Sequence, residues 1–222
     1  MTGPLQRGCW WALDYAYAGW RQAAAAADRT DAAALCTGTG AAVVLLPGVY
    51  ESWRFLAPLA RWVHAQGHPV HVIEPLRHNR SPVTDSARHV TALLEARNLA
   101  DVTVVAHSKG GLIGKEVMLG TQGHRIRNMV AIATPFGGSR YATYLRGRAL
   151  RIFSPRDPTI VRLGREIAVN ARITSVYGVF DPHIPGGSLL PDARNVRVPS
   201  GGHFRILIRP EVQDEILRAL RR

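Results

Sequence analysis

The sequence predicts an α/β fold: a mainly parallel sheet of about six strands, flanked by helices. Two observations point there. From residue 41 onward, short apolar runs alternate with amphipathic stretches of helical period. Runs such as 41–46 and 102–106 are apolar almost throughout, the pattern of strands buried on both faces. With 222 residues, of which 46% are hydrophobic and 20% charged, the chain can fill one core and is not of disordered composition.

The elements follow in order. Residues 9–27 predict a helix with Trp10, Leu13, Tyr17 and Trp20 on one face, read as a packing face in preference to a membrane anchor. Residues 28–40 end in Gly38-Thr39-Gly40 and read as a linker. The expected organisation is therefore an N-terminal helix and linker over 1–40 and one domain over 41–222. The first strand is 41–46, broken by Pro47-Gly48. A helix over 52–65 carries Phe55, Leu59, Trp62 and Val63, and Pro58 should kink or split it. Strand 70–73 follows, then a helix opened by Ser81-Pro82, with Val83, Val90, Leu93 and Leu94 inward and Asp85 near its positive end. Strand 101–106, helix 110–121 and strand 129–133 come next. Residues 135–170 leave room for a small cap of short helices, one of them carrying Ile160, Val161, Leu163 and Ile167 over the site. Strands 173–177 and 196–198 precede a closing helix over 210–222, with Pro210 in its first turn, acids early and arginines late.

Charge and cysteine content bound the function. The net charge is +12, and of 28 basic residues only Lys109 and Lys115 are lysines. Such a surface could attract nucleic acid, anionic lipid or acidic substrates, but rising arginine, alanine and glycine together also match GC-rich codon usage. The arginines are scattered and no reader motif accompanies them, so nucleic acid is not an expected partner. Two cysteines, Cys9 and Cys36, exclude a disulfide-dense scaffold and a cysteine zinc cluster. No run approaches the roughly 18 apolar residues of a spanning helix, and the N-terminus lacks a secretory pattern, so a cytoplasmic protein is expected.

The chemistry is concentrated in one segment. Val102-Thr103-Val104-Val105 runs into Ala106-His107-Ser108-Lys109-Gly110 and then a helical stretch. A strand, a small-x-Ser-x-Gly turn and a helix make a nucleophile elbow, which holds Ser108 on a tight turn with its hydroxyl projecting. The positions two before and two after the serine must be small because the two backbones pass closely there; Ala106 and Gly110 meet that need.

An activated serine needs a base, and the base needs an orienting acid, here in the order Ser, acid, His. Asp181 follows strand 173–177 and His203 follows the next strand through Pro199-Ser200-Gly201-Gly202, so both can face the sheet end that carries Ser108. Asp157 and Asp192 compete for the acid, with Asp181 in the cleaner strand-end position. His107 lies inside the elbow and should point away from the hydroxyl, and His183 follows the acid too closely, which leaves His203 as base. Backbone donors for the oxyanion are expected from Lys109, the residue after the nucleophile, and from Val49 beyond Gly48, with Tyr50 as the runner-up.

These motifs carry a resemblance. The elbow, Leu45-Leu46-Pro47-Gly48 and Ala133-Thr134-Pro135-Phe136-Gly137-Gly138-Ser139 make residues 41–222 similar to small bacterial lipase- and esterase-like α/β-hydrolases; the last stretch is similar to the Gly-Thr-Pro-His-x-Gly-Ser stretch of lipases. The resemblance implies a minimal α/β-hydrolase fold with a small cap; the N-terminal helix, standing where the usual first strands would be, departs from the family. It implies a carboxylic ester hydrolase without metal or organic cofactor, acting on lipid-like acyl esters, with thioester or acyl-transfer chemistry sharing the machinery. Lys109 departs from the apolar residue lipases often carry, which argues against a purely apolar acyl pocket. The alternative class is a non-catalytic module of the same fold, docked on anionic membranes by its arginine surface and aromatic helix.

Overall fold

The computed structural model describes residues 3–144 and 147–221. Helix α1 spans Pro4–Ala27. It leads through a 3-10 turn, Ala33–Cys36, to strand β1, Val43–Leu46. The segment around Pro58 is split as its sequence requires: a 3-10 turn, Trp53–Leu56, gives way to helix α2, Ala57–Ala65, with the proline in the first helical turn. Then come β2 (Val70–Val72), α3 (Val83–Ala96), β3 (Val102–His107), α4 (Lys109–Leu119) and β4 (Ile126–Ile132). Two short helices, α5 (Arg148–Arg151) and α6 (Pro158–Arg165), precede β5 (Ile173–Phe180), β6 (Arg194–Gly201) and α7 (Pro210–Leu220).

Among the described residues the sheet has six strands in the order β2-β1-β3-β4-β5-β6, and every pairing is parallel. The chain moves outward from β1 to β2, then crosses back to β3 and continues the other way. The order therefore reverses between β1 and β3, and ligands in such sheets bind beyond the carboxyl ends of the strands at this reversal. Ser108 follows β3 and the Pro47-Gly48 loop follows β1, so both stand at that place.

Strand alternation sorts the core into two layers. Val44, Leu46, Val104 and Met129 pack with Val90 and Leu94 of α3 and Ile113 and Val117 of α4. Val43, Leu45, Val105 and Val130 face the other way, against Leu59 and Val63 of α2 and Val212 and Ile216 of α7.

Two expectations about the helices are corrected. Leu13 and Trp20 of α1 are 47% and 61% exposed, while the residues it buries are Asp14, Arg21 and Ala25. The helix is held by polar anchors: Arg21 donates through Nε and Nη2 to the Phe55 carbonyl at 3.2 and 2.9 Å and to the Arg54 carbonyl at 2.7 Å. In the cap region, Ile160 and Leu163 of α6 join the core layer of α3 and α4 and do not cover the site, and Ile167 lies beyond the helix and is exposed. Among the described residues, no helix is long and apolar enough to cross a membrane.

Candidate active site

Ser108 sits between β3 and α4 at φ 50°, ψ −118°, a strained conformation for a residue with a side chain. The neighbouring backbone explains the small residues beside it. A Cβ on Gly110 would stand 2.3 Å from the Leu46 carbonyl oxygen, and one on Gly111 2.1 Å from Thr134 Oγ1. The elbow thus presses α4 against the end of β1 while turning Ser108 outward.

The register of the last two strands brings the other groups in. Phe180 pairs with Gly201, and the Gly202 amide donates to the Phe180 carbonyl at 2.8 Å. The residues just beyond each strand, Asp181 and His203, therefore emerge side by side. His203 Nδ1 lies 2.7 Å from Asp181 Oδ2, and His203 Nε2 lies 3.0 Å from Ser108 Oγ. Asp181 Oδ1 also accepts from the His183 and Ile184 amides at 2.7 and 3.1 Å, which fixes the carboxylate in plane. Ser108, Asp181 and His203 are all buried, at 5%, 8% and 4% exposure, so their mutual bonds are little weakened by water.

The competing residues lie elsewhere or do other things. Asp157 caps α6 by accepting from the Thr159 amide at 2.9 Å. Asp192 sits at φ 58° in the exposed turn before β6. His183 stacks on His203, ring centroids 4.6 Å apart, and hydrogen-bonds the Tyr15 hydroxyl at 2.7 Å. His107 turns away from the hydroxyl: its Nδ1 meets the Glu51 carboxylate at 2.8 Å and its Nε2 the His203 carbonyl at 3.0 Å. Glu51 Oε2 also accepts from the Gly48 amide at 2.7 Å. One buried chain of bonds thus links the loop after β1, the elbow and the main chain of His203.

Electrostatics follow from this arrangement. Burial opposes charge on His203, yet the Asp181 carboxylate beside it, with Glu51 and Asp14 adding, holds the ring above its ordinary pKa of 6.5. Burial would raise Asp181, but His203 and the His183 amide hold it below the usual carboxylate range. His183 is pushed down to about 3, by burial first and then by His203.

Val49, Tyr50 and Glu51 line a cavity of about 460 Å³ together with Ser108 and His203. Tyr50 has φ 61°, and as the first residue of α4 Lys109 has an amide without an intrahelical acceptor. The Lys109 side chain does not enter the cavity. Its buried Nζ donates to the Asn79 carbonyl at 2.8 Å, to Asn79 Oδ1 at 3.1 Å and to the Ser81 carbonyl, and burial lowers it to about 8. Lys109 itself therefore puts no charge into the cavity, because it stitches the 79–81 loop instead; the polar part of the lining comes from Glu51, Gln22 and Ser139. The cavity walls are Val49, Leu150, Phe153, Ile184 and Phe204, joined by Tyr15, Ala18 and Gln22 of α1. The roles of α1, of Glu51 and of His183 were missed from sequence. The available signal was an acid, Asp14, set among the aromatic residues of a helix.

No protein-family model matches the sequence, and no curated protein does. Solved structures do match in chain path. The mature lipase of Bacillus licheniformis is 15% identical, over 82% of this chain and 92% of that one, with a TM-score of 0.62. A monoacylglycerol lipase of Paleococcus ferrophilus is 16% identical over 82% and 94%, with a TM-score of 0.58. A bromoperoxidase of Bacillus anthracis is 15% identical over 84% and 94%, with a TM-score of 0.60. Identities this low speak for fold and leave the chemistry to the site. The parallel sheet, its reversal between β1 and β3, the strained serine at that reversal and these matches agree that the chain has the α/β-hydrolase fold.

Proposed function

We propose that this protein is a serine hydrolase that cleaves carboxylic esters through an acyl-serine intermediate. The observation that carries the reading is the buried relay of Ser108, His203 and Asp181, with bonds of 3.0 and 2.7 Å, opening on a mainly apolar cavity. His203 Nε2 takes the Ser108 proton as Oγ attacks the ester carbonyl, and Asp181 stabilises the imidazolium so formed. The Val49 and Lys109 amides are assigned to the developing oxyanion. As the tetrahedral intermediate collapses, His203 gives its proton to the departing alkoxide and the acyl group stays on Ser108. Water then attacks the acyl-serine with His203 again as base, releasing the acid and regenerating the serine.

Val49, Leu150, Phe153, Ile184 and Phe204 favour an apolar acyl chain, and two of the structural neighbours, a lipase and a monoacylglycerol lipase, are in accord. Hydrolysis of p-nitrophenyl esters of rising chain length tests the reading. Each methylene that enters the cavity should raise kcat/KM by up to about fourfold, the effect of roughly 0.8 kcal/mol, until the cavity is full. Ser108→Ala should lower kcat by on the order of 10⁶. A Ser108→Ala rate equal to that of the parent overturns the reading.

A further inference from the structure

His203 is also held through its main chain, by a residue that lies outside the sheet and its crossover helices. Asp14, in the middle of α1, is fully buried. Its Oδ2 accepts from the His203 amide at 2.8 Å, and its Oδ1 accepts from the Phe204 and Arg205 amides at 2.9 and 2.8 Å. These amides lead into the 3-10 turn Arg205–Ile208, whose first donors point at no carbonyl of their own turn. A carboxylate there does what an N-capping side chain does, but from a distant helix.

The residues just before His203 are shaped to receive α1. A Cβ on Gly201 would stand 2.2 Å from the Trp10 ring, and one on Gly202, at φ +117°, 2.4 Å from Asp14 Oδ1. Trp10 and Asp14 are four residues apart, hence one above the other on a helix face. Gly201-Gly202 thus seats two successive side chains of α1. From the opposite side, His107 Nε2 holds the His203 carbonyl at 3.0 Å.

We propose that Asp14 is a positioning residue of the catalytic site: its carboxylate fixes the backbone of residues 203–205 and thereby sets the His203 ring between Ser108 and Asp181. The proposal rests on the serine-hydrolase reading above. Its consequence for rate is large because a misplacement of about 1 Å can cost on the order of 10²-fold. Asp14 also adds negative charge near His203, whose other titratable neighbours are Asp181 and His183 beyond β5, Glu51 after β1, His107 of β3 and Tyr15 of α1.

The test measures kcat/KM and kcat against pH with a p-nitrophenyl ester for the parent, D14N and R21A. Arg21→Ala loosens the same helix from the Phe55 and Arg54 carbonyls without touching residues 203–205. D14N should lower kcat at least tenfold, with KM changed less, and should move the midpoint of the rising limb to lower pH; R21A should leave the midpoint in place. A D14N midpoint equal to the parent's, or an R21A midpoint moved as far, overturns the proposal. A parent enzyme that does not react with a fluorophosphonate at Ser108 refutes the hydrolase reading instead. If D14N does not fold, hydrogen exchange on the parent decides. The amides of residues 203–205 should be strongly protected, and exchange as fast as at the exposed Gly186 contradicts the assigned role.

Discussion

Asp181 shows how much one carboxylate does here. It orients His203 through Oδ2 and is itself oriented by two main-chain amides at Oδ1. Asp181→Asn keeps the volume but places an amide group where an acceptor is needed, and removes the charge that stabilises the imidazolium. It should lower kcat by on the order of 10⁴ with the circular dichroism spectrum unchanged. The same carboxylate raises the pKa of His203 against the effect of burial. A general base works when neutral, so kcat/KM should rise with pH through a midpoint above 6.5, and Asp181→Asn should bring that midpoint down. A midpoint at or below 6.5 in the parent contradicts this account of the site.

At the scale of elements, the elbow and α1 make contrasting demands. Gly110 lets α4 cross the end of β1, where a Cβ would meet the Leu46 carbonyl at 2.3 Å. Backbone cannot move aside as a side-chain tip can, so Gly110→Ala should cost about 3 kcal/mol or more, seen as a lower urea midpoint. Helix α1 is fastened by Arg21, whose guanidinium makes three bonds to two carbonyls. Arg21→Ala should cost about 2–4 kcal/mol in the same measurement, since those carbonyls lose a charged donor and the helix loses packing. These two elements also mark what the sequence made legible. Strand β3, its turn and α4 could be read because local spacing and small residues encode them directly. The order of Asp181 and His203 could be read because both leave strand ends. The buried face of α1 could not, because Asp14 and Arg21 look like surface residues until the main-chain amides and carbonyls they satisfy are in place. For the same reason apolar periodicity pointed to Leu13 and Trp20, which face outward. The cap helix was misplaced because Ile160 and Leu163 are apolar enough for either a lid or a core, and only the tertiary arrangement chooses the core.

For the whole molecule, the buried titrating groups set how stability depends on pH. His183 has a folded pKa of about 3 and binds its proton more readily when unfolded, so stability falls as pH drops from about 6.5 toward 3. Asp181, held below its unfolded value, adds stability that is present above that value and lost as pH falls through the folded one. His203 acts oppositely, adding stability below its unfolded value that is lost as pH rises through its raised folded value. The urea midpoint should therefore decline between pH 6 and pH 4, and His183→Gln should flatten that decline. The net charge of +12 adds self-repulsion to the folded state.

Every proposed step of the reaction requires Ser108 to be an activated nucleophile. Incubating the folded protein with a fluorophosphonate and following intact mass and peptide mapping tests it most directly. One covalent adduct is expected, located on Ser108, formed quickly by the parent and lost in Ser108→Ala and in heat-unfolded protein. An unmodified folded protein, or an adduct on any other residue, would contradict it.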